Sequence, residues 1–246
     1  LNFPIFMQIN HTIQICNKNN KEKGSLTVDI EFIQEYIPMY VEAAKLTLGI
    51  AVVGIIISVV VGLICANIQY YKVPVLKRIV SIYIELSRNT PLIVQLFLLY
   101  FGLPKAGIVL DSVTCAIVGL GFLGGSYMAE SFRSGLESVD KTQLELGLSI
   151  GLTQPQIMKN IIIPQAMSVS VPAICANIIF LIKETSVFSA VALADLMYVA
   201  KDLIALYYKT DEALLMLVVA YLILLLPISI IATILERRLR YAGFGN

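Results

Sequence analysis

Five long apolar stretches of the chain carry no charged side chain, over residues 46–71, 89–104, 112–129, 160–182 and 213–235. About 20 apolar residues cross a hydrocarbon core as helix, so runs of this length commit the chain to a bilayer. Composition agrees: 58% of the 246 residues are strongly apolar and 14% are charged, against about 25% charged in a soluble domain. The 18 basic and 17 acidic residues nearly cancel, which leaves none of the excess charge that nucleic-acid binding requires. One His, no Trp and four scattered Cys give little from which to build a metal site or a Ser-His-Asp triad. The chain is therefore read as a non-enzyme with no cofactor or metal of its own.

None of the runs alternates with the period of two that marks a barrel strand. The expected fold class is all-α integral membrane, with about five transmembrane helices. Residues 89–104 make a short span, so its helix is expected to enter near Ser81, with Glu85 and Arg88 at the polar end. Pro164 and Pro172 interrupt the fourth run, and its membrane helix is expected to start near Pro172. Basic residues after the first, third and fifth spans are Lys72, Lys77 and Arg78, then Lys141 and Lys159, then Arg237, Arg238 and Arg240. The opposite ends carry Lys105, Lys201 and Lys209, with Lys45 and the more distant Lys18, Lys21 and Lys23 counting the other way. The basic-inside bias puts the amino terminus outside and the carboxyl terminus in the cytoplasm.

Residues 1–36 read as an external segment, 37–241 as the membrane domain and 242–246 as a cytoplasmic tail. The first 24 residues lack the basic start and small-residue cleavage site of a secretory signal. Cys16 stands alone there, and Cys65, Cys115 and Cys175 read as buried apolar side chains.

The most patterned segment is the loop of residues 137–164. Asp140 is placed to cap a helix, with Gln143 three positions on, Leu144, Leu148 and Gly151 on one face, and Gly151 placed to end it in a left-handed turn. Thr153 and Pro155 then open a second helix that Pro164 is expected to stop. A helix, a glycine turn and another helix on the basic side suit a groove on a soluble partner. An amphipathic hairpin lying in the membrane interface is the alternative.

At these residues the sequence resembles the membrane subunits of bacterial ATP-binding cassette importers. Their cytoplasmic coupling loop has a Glu-Ala-Ala start, a Gly six residues after the Glu, and a later Leu-Pro. Glu145, Gly151 and Pro164 keep that spacing, while Leu146 and Gly147 replace the alanines and Ile163 the leucine. Glycine at 147 should weaken the first helix by about 1 kcal/mol relative to alanine. Three more segments resemble the polar amino acid branch: Glu85 through Arg88 and Pro91 to Gln95, residues 127–135, and residues 183–189 followed by Ala194-Asp-Leu-Met197. The resemblance spans about residues 40–241. It implies coupling residues Gln143, Glu145, Gly151 and Pro164, and a separate ATPase subunit that binds ATP and Mg. It also implies a second permease subunit, identical or related, an extracytoplasmic amino acid binding protein, and a place in the bacterial inner membrane.

Two motifs are decoys. Glu42-Ala-Ala44 spells the coupling start, but Leu48 and Val61 occupy the positions that need Gly and Pro. Gly119, Gly121 and Gly124 match a dinucleotide fingerprint inside an apolar span, where no strand and turn aim amides at a phosphate. Gly121 and Gly125 are read instead as helix-packing positions.

Lys183 and Glu184 interrupt an apolar run, where charge is costly unless it faces protein or water. A substrate path lined by Glu184, Thr185 and Ser186, with Asn177 two turns earlier and Gln95 from the second span, is one expectation. A helix-end salt bridge is the other. Asp195, Lys201 and Asp202 read as a solvated outer loop in preference to a docking point for a delivery protein. The competing function is an ion-gradient-driven secondary amino acid transporter, although no inverted repeat is visible. Neither the amino acid nor homodimer against heterodimer is legible.

Overall fold

The computed structural model describes residues 28–243. The readings made for residues 1–24, with Cys16, Lys18, Lys21 and Lys23, fall outside those residues, as does most of the tail. Among the described residues every regular element is helical.

Helix α1 (Ile30–Tyr70) opens on Asp29, whose Oδ1 accepts the Phe32 amide at 3.1 Å, and it holds 41 residues. At 1.5 Å per residue it is about 60 Å long, roughly twice a hydrocarbon core. Its first part carries Glu31, Glu35, Glu42 and Lys45, and it starts at Ile30, within the stretch 1–36 read as an external segment. A turn with Lys72 and Val75 at positive φ leads to α2 (Leu76–Arg88).

The second span differs from expectation. In place of one helix entering near Ser81, α2 stops at Arg88, and α3 (Leu92–Phe97) continues through a π turn at Leu98–Gly102 and a 3-10 turn at Leu103–Ala106. Pro91 causes the break, since it supplies no amide and disfavours helical backbone at the residue before it. Local side chains satisfy the freed carbonyls. Gln95 Nε2 donates to Ser87 O and Thr90 O, both at 3.0 Å, Thr90 Oγ1 to Leu86 O at 2.8 Å, and Asn89 Nδ2 to Glu85 O at 2.7 Å. Among the described residues four helices are long and apolar enough to cross a membrane, Ile30–Tyr70, Ser112–Ser138, Gln154–Val191 and Thr210–Arg238, and Leu92–Ala106 is a shorter apolar fifth.

Helix α4 (Ser112–Ser138) is the central post, with α1, α2 and α7 packed on it. Leu120, Met128 and, from α7, Leu181 are fully buried there. Glycines set the approach: a Cβ on Gly121 would lie 2.8 Å from Ile57 Cγ2 and one on Gly125 2.7 Å from Val61 Cγ1, both on α1. These are the packing positions expected, and the fingerprint glycines lie within one helix. Cys65, Cys115 and Cys175 are buried free thiols.

After α4 come α5 (Thr142–Ser149), α6 (Gln154–Ile157) and α7 (Ile163–Glu184), the last running on as a 3-10 turn at Thr185–Val191. Pro164 does not stop the chain, and the span does not wait for Pro172. A π turn at Met158–Ile162 carries α6 into α7, with Pro164 in the first turn of α7 and Pro172 inside it. A proline near a helix start needs no donor there.

Helix α8 (Leu196–Tyr207) replaces the expected solvated loop, ahead of α9 (Thr210–Gly243). Leu196, Ala200 and Leu203 pack against Phe32 and Tyr40 of α1 and Ala213 and Met216 of α9. Lys201 stays exposed and donates to Ser189 Oγ at 3.0 Å, but Asp195 is fully buried. Its Oδ1 accepts the Tyr198 amide at 2.9 Å and caps α8, while Oδ2 has no partner among the described residues. Burial pushes this carboxyl up to about 6, against the pull of the Tyr198 and Met197 amides and of Lys201, with Tyr221 of α9 also facing it.

A carboxyl raised on folding favours the folded state at low pH, and that advantage is lost as pH rises from about 4 through 6. Asp195→Asn keeps a capping side chain and removes the buried charge. It should raise the thermal midpoint at pH 8 by several degrees and leave it nearly unchanged at pH 4. Equal shifts at both pH values would show that Asp195 does not titrate in this range.

Candidate functional site

The loop between α4 and α7 folds as a closed hairpin. Asp140 Oδ1 accepts the Thr142 amide at 2.9 Å as well as the Thr142 hydroxyl, and these bonds hold its carboxyl below the ordinary range. The cap thus falls on Thr142, and Gln143 lies half-buried beyond it. Gly151 takes φ +85°. Leu152 donates to Gly147 O at 3.1 Å and Gly151 to Leu148 O at 3.0 Å, the paired bonds of a Schellman close. The second helix starts at Thr153, whose amide donates to Gln156 Oε1 at 2.8 Å, with Pro155 in its first turn.

Gly147 is where α5 meets the chain after the turn. A Cβ there would lie 2.7 Å from Ile157 Cγ1 and Cδ1, and Ile157 is fully buried. The contact offsets the weaker helix propensity of glycine, because the two arms close on each other where alanine would hold them apart.

Leu146 and Ile150 remain 59% and 76% exposed, and Leu148 and Glu145 are exposed too. An apolar surface on a projecting, capped hairpin is an unpartnered contact. Leu144, grouped with Leu148 by periodicity, turns instead toward a cavity beneath the hairpin. Pro164 is exposed at the start of α7, below this surface.

That cavity holds about 1280 Å³ and lies between the end of α1, α2, the end of α4 and the hairpin. Lys72, Lys77, Lys141 and Lys159 line its mouth, and Glu85, Arg88, Glu130 and Arg133 line it further along α2 and α4. Arg133 grips Glu130 with two nitrogens and Glu137 with a third at 2.5 Å. The Arg88 guanidinium lies 5.2 Å from the centre of the Tyr127 ring, within cation–π reach. Tyr83 and Ser87 donate to Phe122 O at 2.7 and 3.1 Å and bind α2 to α4.

None of the expected path residues lines this cavity. Gln95 spends its amide on the break at Pro91. Asn177 Nδ2 joins α7 to α4 through Ser131 Oγ at 2.8 Å and Tyr127 O at 3.3 Å. Thr185 is fully buried and donates to Ile182 O at 2.7 Å. Glu184 and Ser186 are half-buried, and Lys183 and Glu184 make no ion pair among the described residues. Glu184 closes the 22-residue α7, roughly 33 Å along that helix from its hairpin end. Arg88, Glu130 and Arg133 line the cavity instead. The spacing of three between Glu130 and Arg133 on α4 was the available signal.

Residues 54–241 match the family described as binding-protein-dependent transport system inner membrane component. The chain belongs to this family. It is therefore the transmembrane subunit of an ATP-driven importer, a permease, and the secondary-transporter reading falls away. This permease is 35% identical over 196 residues to a probable amino-acid ABC transporter permease protein of Vibrio harveyi, covering 78% of this chain and 88% of that one. It is 32% identical to the glutamine transport system permease protein of Escherichia coli, covering 83% and 94%. Among solved structures, an amino acid ABC transporter crystallised with histidines superposes with a TM-score of 0.80 at 31% identity, covering 87% of the permease and all of that chain. A methionine ABC transporter in an inward-facing form shares the fold, with a TM-score of 0.68 at 22% identity.

Proposed function

We propose that this permease carries an amino acid across the bacterial inner membrane, and that its hairpin, through Glu145, Gly151 and the exposed Leu146, Leu148 and Ile150, seats in a separate ATPase subunit that binds ATP and Mg. One observation carries the reading: a projecting hairpin, closed by Gly151 and capped at both helix starts, holds an apolar face that nothing among the described residues covers. Gln143 and Pro164 frame that face at its start and at its root. The relatives, glutamine and arginine transport system permeases among them, support an amino acid as cargo.

The hairpin end also gathers Lys72, Lys77, Lys141 and Lys159, and by the basic-inside bias this end is cytoplasmic, with the carboxyl terminus beside it. The amino-terminal part of α1 and helix α8 then face outside, where an amino acid binding protein delivers cargo. Two permease subunits, identical or related, enclose the path. Nucleotide-driven closure of the ATPases shifts the pair toward an outward-open form because they bind that form more tightly.

Glu184 is assigned to the outer part of the path, with Ser186 beside it. Its half-buried carboxylate has no cationic partner among the described residues, which disfavours the salt-bridge alternative. Glu184→Gln should cut the rate of uptake into proteoliposomes at least tenfold while the ATPase stays bound. Uptake at the native rate and apparent affinity would remove Glu184 from the path. The function as a whole is tested by isolating the permease under mild detergent: an ATPase subunit should accompany it, and reconstitution with both should give ATP-dependent uptake of an amino acid.

A further inference from the structure

We propose that Arg88 is the carboxylate anchor of the cargo, so that the cavity beneath the hairpin is the inward-facing binding chamber and any amino acid entering it is held first by its main-chain carboxylate. The proposal rests on the amino acid importer reading.

Arg88 ends α2 where the chain breaks at Pro91, and it lines the cavity. Five donors in a planar fork fit a carboxylate bidentately. An arginine in a membrane domain ordinarily finds a carboxylate within the protein, yet Arg88 makes no ion pair among the described residues. Both nearby candidates are withheld. Glu130 is taken up by Arg133, and Glu85, one turn back on α2, is turned to the cavity without an ion pair of its own among the described residues.

The Tyr127 ring supports the guanidinium at 5.2 Å, and a stacked cation keeps its edge donors free. Tyr127 is itself held, because its backbone carbonyl accepts from Asn177. The exposed fork is thus supported on one side by the ring and makes no ion pair among the described residues. Glu85 stands about one helical turn away on the same chamber wall, placed for the ammonium group that every amino acid carries beside its carboxylate. Cation–π support for Arg88 and the Arg133 clamp on Glu130 together keep the chamber from neutralising itself. A zwitterion supplies both missing charges.

The test uses the full complex of permease and ATPase subunits and two arms. In proteoliposomes with the binding protein, uptake from an isotope-labelled mixture of the twenty amino acids identifies the cargo. In detergent without binding protein or nucleotide, where the chamber is open to bulk solvent, binding of that amino acid and of its α-carboxamide is measured by calorimetry.

The native complex should bind the amino acid and reject the carboxamide at least tenfold. Arg88→Gln should weaken binding of the amino acid by about ten- to a hundredfold and bind both ligands alike, with the ATPase still attached. Arg88→Lys should restore part of the preference. A structural role for Arg88 would weaken both ligands together and preserve the preference. That result, or unchanged binding in Arg88→Gln, or no direct binding by a native complex that still transports, would overturn the anchor and leave the importer intact. Absence of uptake for all twenty would overturn the importer reading itself, and the anchor with it.

Discussion

Gly151→Pro and, separately, Glu145→Arg should abolish substrate-stimulated ATP turnover while the membrane core stays folded. Gly151 sits at φ +85°, and proline is locked near −65°, so the variant cannot make the turn. It also deletes the amide that donates to Leu148 O at 3.0 Å and misplaces the one from Leu152 to Gly147 O. The local cost is about 3 kcal/mol or more, enough to open a two-armed hairpin whose arms meet mainly at Gly147 and Ile157. The surface of Leu146, Leu148 and Ile150 would then no longer be held in place by the second arm.

Glu145→Arg works differently. Its exposed carboxylate touches no partner among the described residues, so folding stability should shift by no more than about 0.5 kcal/mol. Charge at the docking face is nonetheless reversed. Gly151→Ala, a left-handed residue with a Cβ and open space around it, should cost about 1 kcal/mol and give an intermediate loss. ATPase co-purification and turnover in lipid check the series. If the proline and arginine variants both turn over at the native rate, the hairpin is only a connector.

How far the sequence could be read depended on what each proline and each charge meets in three dimensions. The five apolar runs, the Gly151 turn and the Thr153 start were legible because each is a local signal: charge-free length, one residue able to adopt positive φ, one cap followed by proline. Pro91, Pro164 and Pro172 look alike in sequence and behave differently. Pro91 breaks the chain because Gln95, Thr90 and Asn89 are at hand to satisfy the freed carbonyls. Pro164 is absorbed by a π turn, and Pro172 is carried within a helix packed on α4 and α9.

Asp195 was placed in solvent on its charge. Its capping role and the apolar face of α8 bury it, and neither is visible until Leu196, Ala200 and Leu203 find α1 and α9. Arg88 reads in sequence as a tolerable charge at a span end and as part of a segment resembling the family, with no partner indicated. That it stacks on Tyr127 while Arg133 occupies Glu130 is a matter of which helices adjoin, and single-chain periodicity carries no such information.

The same dependence on adjacency makes Gly62→Val the most destructive single change expected in the core. On α1, a Cβ at residue 62 would lie 2.9 Å from the Ala129 amide nitrogen and from the Met128 carbonyl carbon, and closer still to Met128 Cβ. Those are backbone and first side-chain atoms of α4, which no rotamer change can move, so α1 must lift off the central post along the seam that also uses Gly54, Gly121 and Gly125. Close approach of this kind supplies the packing energy that holds membrane helices together, since lipid is as apolar as the helices themselves.

Separating the two helices should cost more than about 4 kcal/mol, in the range reserved for severe core disruption. Gly49→Ala is the internal control, because it lies on the same helix with nothing within 4 Å of the added Cβ and should be neutral or gain up to about 1 kcal/mol from helix propensity. Gel-filtration yield and thermal midpoint of the purified complex distinguish the two. Native yield for Gly62→Val would mean that α1 and α4 do not meet in this register, and with it would fall the central position given to α4.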